Sequence, residues 1–106
     1  MVRSAAAADL VRSLGAMPVI GDMLTDDLAP LMAGAESMIH AAASLDHGAG
    51  RDALAANRDG TARVMAAARQ AGTSAAMHLS TDSVLQAGQS LRDVDETAPA
   101  RGLGTL

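Results

Sequence analysis

Apolar residues fall in short runs separated by longer stretches of helical period. Ala5 to Leu14 reads as a helix, with Gly15 as its stop. MPVIGDM, Met17 to Met23, reads as a strand in which Pro18 is tolerable only near the start or on an edge. Thr25 offers an N-cap, and Asp26 and Asp27 suit a first turn, so a helix is predicted onward to Gly34. Pro30 is placed in the opening turn of that helix, where a missing N–H costs little. Ser37 to Ala42, SMIHAA, is a short apolar run bounded by small residues and is predicted as a buried strand. Residues 45–50, LDHGAG, form a loop on this reading. A long helix is predicted from about Arg51 to Ala71, ending at Gly72, with Leu54, Thr61, Val64, Met65 and Ala68 at helical spacing. MHLS, Met77 to Ser80, is predicted as the third strand. From Gln86 the chain is polar, and residues 98–106 carry no regular pattern.

Strand and helix alternate, which predicts an α/β fold of about three parallel strands with helical crossovers. The strands are continuous apolar runs, as in a sheet covered on both faces. At 106 residues the chain is one domain or part of one. Hydrophobic residues make up 49% of it, but many are alanine, so the predicted core is thin. There is no Phe, Tyr or Trp, and seven Met residues are left to fill gaps.

Charge and composition then narrow the chemistry. A net charge of −4 without a basic cluster argues against a nucleic-acid partner. The lack of cysteine removes disulfides, thiolate metal sites and a cysteine nucleophile. No apolar run approaches the ~20 residues of a membrane span, and Asp9 interrupts the only short run that could mimic a signal peptide. The cytoplasm is therefore the expected compartment. His40 reads as a hydrogen-bonded core histidine, and His47 and His78 have no partners at metal-ligand spacing, so no metal site is expected. Asp93, Asp95 and Glu96 read as a solvated acidic patch.

Two polar runs remain. Asn57-Arg58-Asp59-Gly60-Thr61 lies on the long helix, and Ser80-Thr81-Asp82-Ser83-Val84 closes the third strand. They bring a helix amide and a strand-end hydroxyl toward one place, an arrangement suited to a nucleotide site on an apolar scaffold.

In order, MAGAESMIHAAA, ANRDGTARVMAAARQAG, MHLSTDSVL and DVDETAP resemble consecutive segments of the extended short-chain dehydrogenase/reductase family, the NAD(P)-dependent epimerases, dehydratases and reductases. VRS followed by ADLVRSLGAMPVIGDM is similar to the stretch from the second to the third strand of that family's Rossmann domain. The resemblance spans nearly the whole chain and implies a partial NAD(P)-binding Rossmann-like domain over residues 1–106. NAD or NADP is the implied cofactor. The implied activity is hydride transfer on a sugar nucleotide or a similar alcohol or ketone.

The resemblance also assigns roles. Thr81 matches the catalytic hydroxyl that holds the substrate oxygen, with Ser80 beside it at the cofactor. Asp22 matches the acid that accepts a hydrogen bond from the adenine amino group, and Met23 follows it. Ala41, Ala42 and Ala43 match the small residues along which the dinucleotide passes. Asn57 matches the helix asparagine at the cofactor end of the sheet, and Arg3 a position that binds the extra phosphate of NADP in some members. The plainer readings of these residues are an ordinary strand-end hydroxyl for Thr81, a turn former for Asp22 and a helix-surface amide for Asn57.

The departures from the family pattern bear on activity. The glycine-rich phosphate loop and the first strand are expected before residue 1, and the Tyr-x-x-x-Lys acid/base pair after residue 106. The chain contains no Tyr, and its eight cationic side chains are all Arg. Leu85 stands where the family places a tyrosine, and Ser83 where the dehydratase branch places a glutamate. The expectation is a segment inactive by itself, with sheet edges left open to self-association. A non-catalytic nucleotide-binding or interaction module is the alternative.

Overall fold

A computed structural model describes residues 1–44, 53–85, 88 and 90–100. Helix α1 spans Ala5–Ser13. Ser4 caps it, its hydroxyl accepting the Ala7 N–H at 3.2 Å. Gly15, at φ +82°, carries the left-handed turn that ends it. Strand β1, Ser37–His40, leads to helix α2, Ala53–Gln70, and then to strand β2, Ala75–His78. The two strands pair in parallel, from Ser37 opposite Ala75 to His40 opposite His78. The α/β character and parallel pairing predicted from alternation are thus present, as a small part of a Rossmann-like fold.

Helix α2 lies on one face of this pair. Val64 and Ala67 are buried with Leu28 and Ala29, and Met23, Leu31, Met32 and Met38 pack around them. Side chains alternate across a strand, so Met38 and His40 share the helix face while Ile39 points away. Ile39 and its register partner Met77 are 68% and 60% exposed. The outer face of the sheet is therefore bare.

The predicted strand at residues 17–23 is reduced to one parallel bridge between Val2 and Ile20. Val2 donates to the Val19 carbonyl at 2.8 Å, and Gly21 donates to the Val2 carbonyl at 3.0 Å. Helix α1 begins three residues after Val2, so the segment around Val2 is too short to extend the ladder. Among the described residues this bridge and the β1–β2 pair do not join. A cleft of about 370 Å³ lies between them, lined by Val19, Leu31, Met38, Ile39 and Val64. It falls where a Rossmann order would set its central strand.

The predicted helix from Thr25 to Gly34 does not form; only one 3-10 turn, Pro30–Met32, is present. In an α-helix starting at Asp26, the Asp26 carbonyl would accept from the N–H of residue 30. Residue 30 is proline and has none. Strand β2 begins two residues earlier than MHLS, because its register partners are Ser37 to His40. The predicted loop at residues 45–50, Arg51 at the start of the long helix and the tail beyond residue 100 lie outside the described residues.

Candidate cofactor site

Two clefts meet at the C-terminal end of β1. The larger, about 590 Å³, is lined on one side by Ala41, Ala42 and Ala43 and on the other by Ser80 and Thr81, with Asn57 of α2 between. The smaller, about 280 Å³, is lined by Arg3, Asp22 and Met23 and again by Ala42 and Ala43. All nine residues singled out from the sequence thus line one cleft or the other. Ala42 and Ala43 form the wall common to both.

Local chemistry explains how each is placed. Asn57 lines the larger cleft and also holds the segment after β1. Its Oδ1 accepts the Ser44 N–H at 2.6 Å and its Nδ2 donates to the Ser44 carbonyl at 3.0 Å. Both ends of the amide are engaged by one backbone residue, which ties the alanine run to α2. Thr81 donates to Asp82 Oδ1 at 3.3 Å, and its carbonyl accepts the Val84 N–H at the start of the 3-10 turn Asp82–Leu85. Thr81 is half-buried at the cleft wall.

In the smaller cleft, Asp22 Oδ1 accepts the Leu24 N–H at 2.8 Å, the local turn expected of an Asp after a strand. The Asp22 N–H donates to Asp26 Oδ2 at 2.8 Å. Arg3 Nη1 stands 4.0 Å from Asp22 Oδ2, with the arginine largely in solvent. That pair contributes little to stability, but it sets a cation and an anion at the same rim.

Sequence reasoning did not single out Arg58, Thr61, His78 and Val84 as lining residues, yet all four face the larger cleft. Thr61 follows Asn57 at an offset of four and Arg58 at an offset of three, which makes it a helix-surface neighbour of both. That spacing was readable in NRDGT itself. His78 is brought in by its pairing with His40, whose ring stacks on it with centroids 5.2 Å apart. His40 is only 4% exposed, and its Nε2 shares a hydrogen bond with Thr61 Oγ1 at 3.0 Å. It is the hydrogen-bonded core histidine expected from its apolar surroundings. Burial, and then the neighbouring His78, hold its pKa below the ordinary value. No group of three or more metal-ligating side chains occurs among the described residues.

Residues 20–101 match the family model described as male sterility protein, an NAD-binding family. The chain belongs to that family. It is also 42% identical over 102 residues to a 4-hydroxy-2-methyl-3-oxo-4-farnesyl-3,4-dihydroquinoline-1-oxide ketoreductase of Stigmatella aurantiaca. That match covers 93% of this chain and 30% of the relative, so the chain spans under a third of that ketoreductase's length. No solved structure matches the chain. Membership of the NAD-binding male sterility family supports NAD(P) binding. No helix among the described residues is long and apolar enough to cross a membrane.

Proposed function

We propose that this chain carries the part of an NAD(P)-dependent ketone reductase that spans the cofactor from its adenine end to the substrate oxygen. The observation behind this reading is the shared wall at Ala42 and Ala43. Two clefts meet there, one holding Asp22 and Arg3 and the other Asn57 and Thr81. Side chains no larger than a methyl group let a dinucleotide lie against the backbone at a strand end, where open α/β sheets take their ligands. Asp22 would accept from the adenine amino group, with Met23 beside it. Arg3 at the rim would favour the extra phosphate of NADP by charge and by its planar fork of donors. Asn57 acts through Ser44, by holding the alanine wall in place. Ser80 borders the cofactor beside Thr81.

When bound, the nicotinamide supplies or accepts the hydride. Thr81 would donate a hydrogen bond to the substrate oxygen and orient the reacting carbonyl. The Tyr-x-x-x-Lys pair that would exchange a proton with this oxygen has no counterpart here, since the chain has neither Tyr nor Lys, and on this reading a group outside these residues supplies it. Ketone reduction is favoured over sugar-nucleotide epimerisation or dehydration by the Stigmatella aurantiaca relative. It is favoured too by Ser83, which stands where a dehydratase would carry a second acid.

Calorimetric titration with NADH and NADPH tests this reading. Saturable binding that weakens about tenfold in Asp22→Ala, without oxidation of the nicotinamide in the presence of ketones, is the expected result. No saturable binding to the folded chain would contradict the cofactor reading. Turnover would contradict the external acid/base. Binding without turnover when the chain is joined to the flanking segments of the Stigmatella aurantiaca relative would favour a nucleotide-binding module instead.

A further inference from the structure

We propose that Arg63 is a positioning residue that sets the adenine-side wall of the cleft, by gripping the turn that carries Asp22 and Met23. This inference rests on the dinucleotide reading of the site. Arg63 Nε donates to the Met23 carbonyl at 2.8 Å, and its Nη2 donates to the Asp26 carbonyl at 2.6 Å. Pro30 creates the need for the second bond. It has no N–H to offer the Asp26 carbonyl, which would otherwise take a helical bond from that residue. A single guanidinium therefore replaces the helix that the Thr25–Asp27 capping pattern would have started. Its rigid planar fork fixes the separation and orientation of the two carbonyls, which a lysine ammonium cannot do.

A second contact secures the same turn. Gly60 lies three residues before Arg63, on the same side of α2. A Cβ built there would stand 2.8 Å from Met23 Cε and 2.9 Å from Met23 Sδ. The missing side chain is what lets Met23 seat on the helix. Bonds within the turn, Leu24 N–H to Asp22 Oδ1 and Asp26 N–H to the Asp22 carbonyl, give it shape. Arg63 and Gly60 give it a place.

The same helix grips the opposite wall through Asn57 and Ser44. Asn57 and Arg63 are six residues apart, about 9 Å of helix rise. Helix α2 therefore holds both walls of the smaller cleft, the alanine wall through Asn57 and the Asp22 turn through Arg63. A ligand with an adenine ring would use the Asp22 turn. A ligand that ends at the nicotinamide ribose would not.

The test compares the chain with Arg63→Gln and Arg63→Lys. Affinities for AMP, NADH and nicotinamide mononucleotide are read by calorimetry, and amide exchange of the ligand-free chains by mass spectrometry or NMR. Arg63→Gln is expected to weaken AMP and NADH about tenfold and to leave nicotinamide mononucleotide within about twofold. Arg63→Lys, which keeps the charge and loses the fork, is expected to fall between. Equal losses for all three ligands, or full rescue by lysine, would overturn the proposal. If the parent chain binds none of them, the cofactor reading fails, and the exchange arm decides the clamp alone. Faster exchange at Leu24 and Asp26 in Arg63→Gln, with the α1 amides unchanged, supports the clamp; unchanged exchange at those two amides overturns it.

Discussion

His40 shows how much one residue can hold at a strand end. Its ring is buried, shares a hydrogen bond with Thr61 and stacks on His78. Burial disfavours its charged form, and a charge on His78 would disfavour it further. Its folded pKa therefore lies below the ordinary 6.5. Between that lowered value and 6.5 the unfolded chain binds the extra proton, so stability falls as pH drops through this window. Melting temperatures measured between about pH 7.5 and 5 should fall on the acid side, and His40→Gln should flatten the dependence. An equal slope in that variant would show that another group is responsible. At this scale much was legible: an apolar strand predicts a satisfied histidine, and a strand-end STDSV predicts a hydroxyl at a cleft. The partner of Asn57 was not, because a side-chain bond to Ser44 depends on where the chain returns after β1. Nor was Arg63, since its two acceptors lie 37 and 40 residues away.

Elements were legible where local chemistry and pairing agree. Helices α1 and α2 stop near Gly15 and Gly72 as their sequences predict, both glycines holding positive φ. Reading failed where a local signal lacked its partner. The 17–23 run has strand composition, but among the described residues only Val2 pairs with it. The Thr25–Asp27 pattern signals a helix that does not form, Pro30 having no N–H for the Asp26 carbonyl. One consequence of the pairing is open apolar surface. Ile39 and Met77 lie bare on the outer face of a two-stranded sheet, a surface prone to pairing with another copy. The mass seen by light scattering should rise with concentration above the 10.6 kDa monomer. Ile39→Lys combined with Met77→Lys should hold it near the monomer value. Concentration-dependent association that survives both lysines would place the contact elsewhere.

In the molecule as a whole, a thin core positions a wide site. The buried apolar residues among those described are Leu28, Val64 and four alanines, too little volume to make a rigid body in the usual way. Order at the site comes instead from α2, which reaches both walls through side-chain to backbone hydrogen bonds. The most direct measurement is amide shift mapping by NMR as NADH is added to the chain. Shifts should concentrate at Asp22 to Leu24, Ala41 to Ser44 and His78 to Thr81, and spare α1 from Ala5 to Ser13. Shifts confined to α1 or to the outer sheet face, or none at saturating NADH, would contradict a cofactor path across the end of β1.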